Sequence, residues 1–120
     1  MPPKPPEIRR GQMYWVDWNP ARGSEQAGRR PALIVQNNPF NLNERYPNAV
    51  VVTISTSGRA IPTHIMVEPD AANGLGAISY IKCEQVITIS KDRLEDYIGD
   101  VSSVAMKQVD VALKRVLALP

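Results

Sequence analysis

Several things are scarce in this chain of 120 residues, and each scarcity narrows its reading. A single cysteine, Cys83, excludes an intramolecular disulfide and suits a reducing, cytoplasmic setting. A single histidine, His64, and the lack of any close-set carboxylate group exclude the usual zinc and magnesium spacings, so no metal or other cofactor is expected. No apolar run approaches the ~20 residues of a membrane span, and the N-terminus lacks a signal peptide's apolar stretch, so no membrane partner is expected. No nucleophile-elbow sequence accompanies His64, which removes the usual hydrolase pattern. What remains is one domain's worth of chain, long enough to bury roughly two-thirds of the surface its unfolded form exposes.

The net charge of +2 hides an uneven distribution. Residues 1–60 carry eight basic and four acidic side chains, whereas residues 61–120 carry six basic and eight acidic ones. Seven of the eight cations in the first half are arginine, whose planar fork matches phosphate oxygens. An anionic partner is the natural inference, with a solvated basic face as the plainer alternative.

Along the chain, four prolines among the first six residues mark residues 1–8 as an extended arm, and residues 9–120 form the single domain. Polar and apolar residues alternate through Gln12–Trp18, which predicts a first strand. Pro31–Gln36 predicts a second, Ala49–Ser55 (nearly all β-branched) a third, and Thr63–Glu68 a fourth. Asn37–Pro47 is turn-rich and shows no periodicity. Ala77–Ile81 and Glu84–Ile89 read as two strands parted by a break near Cys83. Ser90 then caps a short helix expected to end at Gly99, with Asp92 in its first turn. A second helix from about Ser102 to Leu119 places Ala105, Val109, Ala112, Leu113 and Val116 on one face, and its terminus is expected to face the core. Short strands closed by a terminal amphipathic helix give an α+β domain whose strands coil into a small barrel.

One loop concentrates the chemistry. Gly23-Ser24-Glu25-Gln26-Ala27-Gly28-Arg29-Arg30-Pro31 packs two glycines, two arginines, a carboxylate and an amide between two strands. Glycine lets backbone approach a ligand, and paired arginines offer phosphate many N–H donors. Arginines, hydroxyls and amides are tools for binding and reorganising phosphate.

The strings Arg10-Gly11-Gln12-Met13-Tyr14-Trp15-Val16-Asp17, Asn19-Pro20, Gly23-Ser24-Glu25-Gln26 and Gly28-Arg29-Arg30-Pro31 together resemble the MazF/PemK (Kid) toxins of type II toxin–antitoxin systems. The likeness runs on through Leu33-Ile34-Val35-Gln36-Asn37, Ser55, Pro62-Thr63-His64, Glu84-Gln85-Val86-Ile87-Thr88-Ile89 and Lys91-Asp92-Arg93-Leu94, so it spans nearly everything after residue 8. The resemblance implies a small SH3-like barrel of the CcdB/MazF type with a short helix and a C-terminal amphipathic helix. It implies a homodimeric, metal-independent, sequence-selective endoribonuclease that cuts single-stranded RNA and so arrests translation and growth. The implied route is 2′-hydroxyl attack, giving a 2′,3′-cyclic phosphate and a free 5′-hydroxyl, so DNA would be bound without being cut. An acidic, MazE-like antitoxin would cover the RNA-binding surface.

Carried over by position, the resemblance implies Arg30 and Ser55 as the catalytic pair, with serine standing where threonine is more usual. Thr53, Thr56 and Ser57 are nearby alternatives to Ser55 as the catalytic hydroxyl, and His64, within a strand, reads as a hydrogen-bonded structural residue ahead of a general base. Ser24, Glu25, Gln26, Arg29 and Ser57 are candidate RNA contacts. Glu84 and Gln85 read equally as base-edge readers and as strand-end polar groups. Trp15 and Trp18 read as packing rather than base-stacking residues. A protein-binding toxin on the same fold, like the gyrase-directed CcdB group, is the alternative from a different class.

Overall fold

The structure, a computed structural model, describes residues 5, 7–18 and 28–120. Six strands, β1 (Gln12–Asp17), β2 (Arg29–Ile34), β3 (Asn48–Ser55), β4 (His64–Val67), β5 (Ser79–Ser90) and β6 (Tyr97–Asp100), form one sheet in the order β4-β5-β3-β2-β1-β6. Every neighbouring pair is antiparallel. The helices are α1 (Asn38–Leu42) and α2 (Ser103–Val116). The sheet is a curled half-barrel with α2 packed against β4 and β5, the architecture expected from the sequence.

Period-two alternation explains how one sheet builds two cores. Met13, Leu33, Val52, Ile54, Ile65 and Ile81 point to the side covered by Val109 and Ala112 of α2. Tyr14, Val16, Ala32, Ile34 and Val51 point the other way, where Trp18, Ile89 and Leu94 close a second cluster. The expected apolar face of α2 buries Ala105, Val109 and Ala112, and the Ser102 hydroxyl accepts from Ala105 N–H as its N-cap. Beyond the helix, the expectation of a core-facing terminus fails, because Leu117 and Leu119 are about half exposed. Ala118 turns there into a left-handed φ of 55°, and Leu119 N–H closes back on Lys114 O.

Three further differences from the sequence reading have physical causes. The two strands predicted around Cys83 are one strand, β5, interrupted only in its register against β3. Val52 pairs with Val86 but Thr53 pairs with Lys82, so residues 83–85 form a bulge. The helix expected from Ser90 to Gly99 is a single 3₁₀ turn, Lys91–Arg93, capped by Ser90 as foreseen. The chain then leaves it because the edge of β1 needs partners: Trp15 N–H donates to Asp96 O, Glu95 N–H donates to Trp15 O, and β6 completes the pairing. Third, the turn-rich stretch after Gln36 holds a short helix, α1, with Asn37 accepting from Phe40 N–H at its N-cap. Lys91 Nζ donates to the carbonyls of Phe40, Asn41 and Asn43 at its end.

One close approach positions the site. Residues 70–76 fold around the buried side chain of Asn73, which donates to Glu68 O and accepts from the N–H groups of Asp70 and Leu75. This loop lies flat on β6: a Cβ on Gly99 would stand 2.4 Å from Asn73 backbone, and one on Gly74 would stand 2.1 Å from Ile98 O. Glycine at both places lets the loop form one wall of a groove.

Candidate active site

A groove of about 590 Å³ opens between the start of β2, the end of β3, β5 and the 74–77 loop. Arg30, Ser55, Thr56, Ser57, Ser79 and Lys82 supply its polar lining, with Trp15, Leu75 and Ile98 among its apolar contacts. Among the described residues it thus holds two cations, four hydroxyls and no carboxylate. Neither the Arg30 guanidinium nor the Lys82 ammonium has a hydrogen-bond or ion-pair partner among the described residues. In a groove of that composition, an anion is the complementary occupant.

The two adjacent arginines part because successive strand residues point to opposite faces. Arg30 goes to the groove. Arg29 instead pairs with Glu95 and Asp96, at 2.8 Å each, and its guanidinium lies 4.9 Å from the centre of the Trp15 ring. Trp15 therefore has Arg29 against it while it also lines the groove. Arg29 was expected to meet RNA, yet two carboxylates already hold it.

Ser55, the last residue of β3, sits in a tight local turn. Its Oγ donates to Ser57 O at 2.7 Å and accepts from Ser57 N–H at 3.1 Å. Thr56 and Ser57 share the groove rim with it. Thr53, two residues earlier, faces the same side but is buried, and its hydroxyl is hydrogen-bonded to Gln85 Oε1. Gln85 is thereby held within the β5 bulge by Thr53.

Glu84 is held by a different partner. His64 Nε2 lies 2.8 Å from Glu84 Oε2, and His64 Nδ1 accepts from Arg59 N–H at 3.0 Å. Burial pushes the Glu84 carboxyl upward, but hydrogen bonds from His64, its own backbone N–H and Thr63 hold it below its ordinary value. Next to it, burial and then the Glu84 charge push the Cys83 thiol up to about 11, so it is a packing residue with little thiolate at neutral pH.

The structure thus brings Arg30, Ser55, Thr56 and Ser57 to one groove, and places Thr53, Gln85, His64 and Glu84 in internal pairs beside it. Ser24, Glu25 and Gln26 lie outside the described residues. Lys82 escaped the sequence reading. The signal available was its position as a lone cation within the otherwise uncharged run Ser79-Tyr80-Ile81-Lys82-Cys83. Among the described residues, no group of three or more histidine, cysteine or acidic side chains is placed to hold a metal ion. Nor is any helix there long and apolar enough to cross a membrane.

A curled antiparallel half-barrel whose strand-end groove carries two cations and, among the described residues, no carboxylate is suited to hold an anion. Comparison with known proteins gives the family: residues 9–117 match the PemK-like, MazF-like toxins of type II toxin–antitoxin systems, and the chain belongs to that family. It is 40% identical over 116 residues to the endoribonuclease EndoA of Bacillus subtilis, covering 93% of this chain and 96% of that one. It is 34% identical over 113 residues to the endoribonuclease MazF6 of Mycobacterium tuberculosis, covering 93% and 98%. Among solved structures, a mycobacterial endoribonuclease in complex with its cognate antitoxin superposes with a TM-score of 0.78 at 33% identity, over 94% of this chain and 97% of that one.

Proposed function

We propose that this MazF-family endoribonuclease toxin cuts single-stranded RNA in the groove lined by Arg30, Ser55 and Lys82, with the RNA's own 2′-hydroxyl as nucleophile. The observation that carries the reading is the lining itself: among the described residues, two cationic side chains without a protein partner, four hydroxyls and no carboxylate. A phosphodiester satisfies such a lining, and it would not suit an acidic peptide's isolated charges as well as a backbone of evenly spaced phosphates.

The chemistry balances without a cofactor. The 2′-oxygen forms a bond to phosphorus and loses its proton, while the bond from phosphorus to the 5′-oxygen breaks and that oxygen gains one. A 2′,3′-cyclic phosphate and a 5′-hydroxyl result. Negative charge concentrates on the non-bridging oxygens at the transition state, where directed donors in a low-dielectric site act most strongly. Arg30 supplies two N–H donors from a group that keeps its proton in proteins. The Ser55 hydroxyl, turning away from Ser57 O, supplies another. Lys82 neutralises a phosphate in the same groove, and Ser57 and Thr56 contact the strand at the rim. The 2′-hydroxyl requirement makes DNA a ligand and never a substrate. Growth arrest follows from messenger cleavage, the working assembly is a homodimer, and an acidic antitoxin of the MazE kind neutralises the groove by charge complementarity.

Incubating the purified protein with a long mixed-sequence RNA in EDTA, and mapping the ends, tests the reading. Discrete cuts bearing cyclic phosphate and 5′-hydroxyl ends are expected, and none where the 2′-hydroxyl is replaced by hydrogen. Intact RNA, or cutting that requires an added divalent ion, would reject it.

A further inference from the structure

The Ser55 oxygen is held in place by Ser57, whose N–H donates to it and keeps it there when its own hydrogen turns from Ser57 O to a ligand. What fixes Ser57 therefore fixes the donor. Two contacts grip the chain immediately beyond it. Gly58 lies against the Tyr80 ring so closely that a Cβ there would stand 2.2 Å from Tyr80 Cγ. Arg59 N–H donates to His64 Nδ1 at 3.0 Å, across a turn closed by Ile61 N–H on Arg59 O and His64 N–H on Ile61 O.

We infer that His64 is a positioning residue, which holds the 57–59 backbone through Arg59 N–H and thereby aims the Ser55 hydroxyl into the groove. An Nδ1 that accepts an amide hydrogen carries no hydrogen of its own, so the ring proton sits on Nε2 and is donated to Glu84. The imidazole side chain is only 7% exposed and is not among the residues that line the groove, so it is not placed to transfer a proton there. Glu84, on the β5 bulge, fixes the ring's orientation, and Thr63 adds a hydrogen bond to the same carboxylate. The chain of contacts runs from the bulge through Glu84, His64 and Arg59 to Ser57 and Ser55. Every link is a hydrogen bond or a covalent bond of the loop.

This inference rests on the proposed role of Ser55, and the test separates the two. Three variants are compared for kcat, KM and thermal unfolding: Ser55→Ala, His64→Gln and His64→Asn. An asparagine amide oxygen can stand where Nδ1 stands and accept from Arg59 N–H, whereas glutamine reaches toward Glu84 and leaves that amide unpaired. His64→Gln is expected to lose about tenfold to a hundredfold in kcat, as a small displacement of a catalytic group does, with KM changed less than about twofold. His64→Asn is expected to stay within about threefold of the wild type. A merely structural role would lower both variants together, in step with their unfolding temperatures. Equal losses in the two variants, or an unchanged kcat in His64→Gln, would overturn the inference while Ser55→Ala remains impaired. An unchanged Ser55→Ala would overturn the Ser55 role itself, and the positioning role with it. Should His64→Gln fail to fold, amide hydrogen exchange of the wild type decides: a protected Arg59 amide is expected, and one exchanging at the unprotected rate rejects the contact.

Discussion

Two polar regions lie side by side on β5, and they differ in whether their side chains are already satisfied. In the groove, Lys82 and Arg30 carry charge with no partner among the described residues, and Ser55 holds only backbone. In the bulge a few residues on, Glu84 is bound by His64 and Gln85 by Thr53. Read as sequence, Glu84 and Gln85 look as fit to touch RNA as Lys82 does, and all three are polar residues on one strand. The difference lies in demand. A ligand reaching Gln85 must displace the partner of a buried hydroxyl, whereas a ligand reaching Lys82 displaces only water.

That contrast can be broken experimentally. The largest effect belongs to Arg30→Ala. Loss of a transition-state donor should lower RNA cleavage about a hundredfold to a thousandfold, roughly 3–4 kcal/mol, in single-turnover assays. Its unfolding midpoint should match the wild type, since Arg30 has no structural partner among the described residues. Next comes Gln85→Ala, for which the opposite pattern is expected. It strands the Thr53 hydroxyl, 5% exposed, and should cost about 1–3 kcal/mol in denaturant unfolding, while cleavage at saturating RNA stays within about threefold. Smallest is Lys82→Gln, where the loss should appear in KM: about fivefold weaker RNA binding, near 1 kcal/mol. Its log–log salt slope should be shallower by about 0.7, as for one lost phosphate contact on a single strand. A Gln85→Ala protein that kept its stability but lost RNA selectivity would erase the distinction between the two regions.

Much of the fold was legible because its signals are local. Alternation located β1, the β-branched run located β3, and Ser90 reads as the cap it is. What escaped depended on partners distant in sequence. No local pattern says that Glu95–Gly99 must pair with the free edge of β1, so from sequence alone the segment reads as helix. The site divides the same way. Arg30 and Ser55 were nominated through a family resemblance, and they do line one groove. Lys82 falls in the sequence reading's break near Cys83, and only the pairing of β5 with β3 shows which surface it faces.

The bulge also acts as a parity switch. Residues 83–85 are three extra positions between the pairs Val52↔Val86 and Thr53↔Lys82, and an odd number of extra residues exchanges the two faces of a strand. On one side of it the even-numbered Val86 packs with the α2-covered core, and on the other the odd-numbered Ile81 and Cys83 do. Lys82 thereby comes to the groove. Loss or gain of one residue at this place would turn Lys82 into the core and Cys83 out of it, whereas a change of two would leave both where they are. Relatives carrying length changes in this stretch of β5 are therefore expected to vary by even steps.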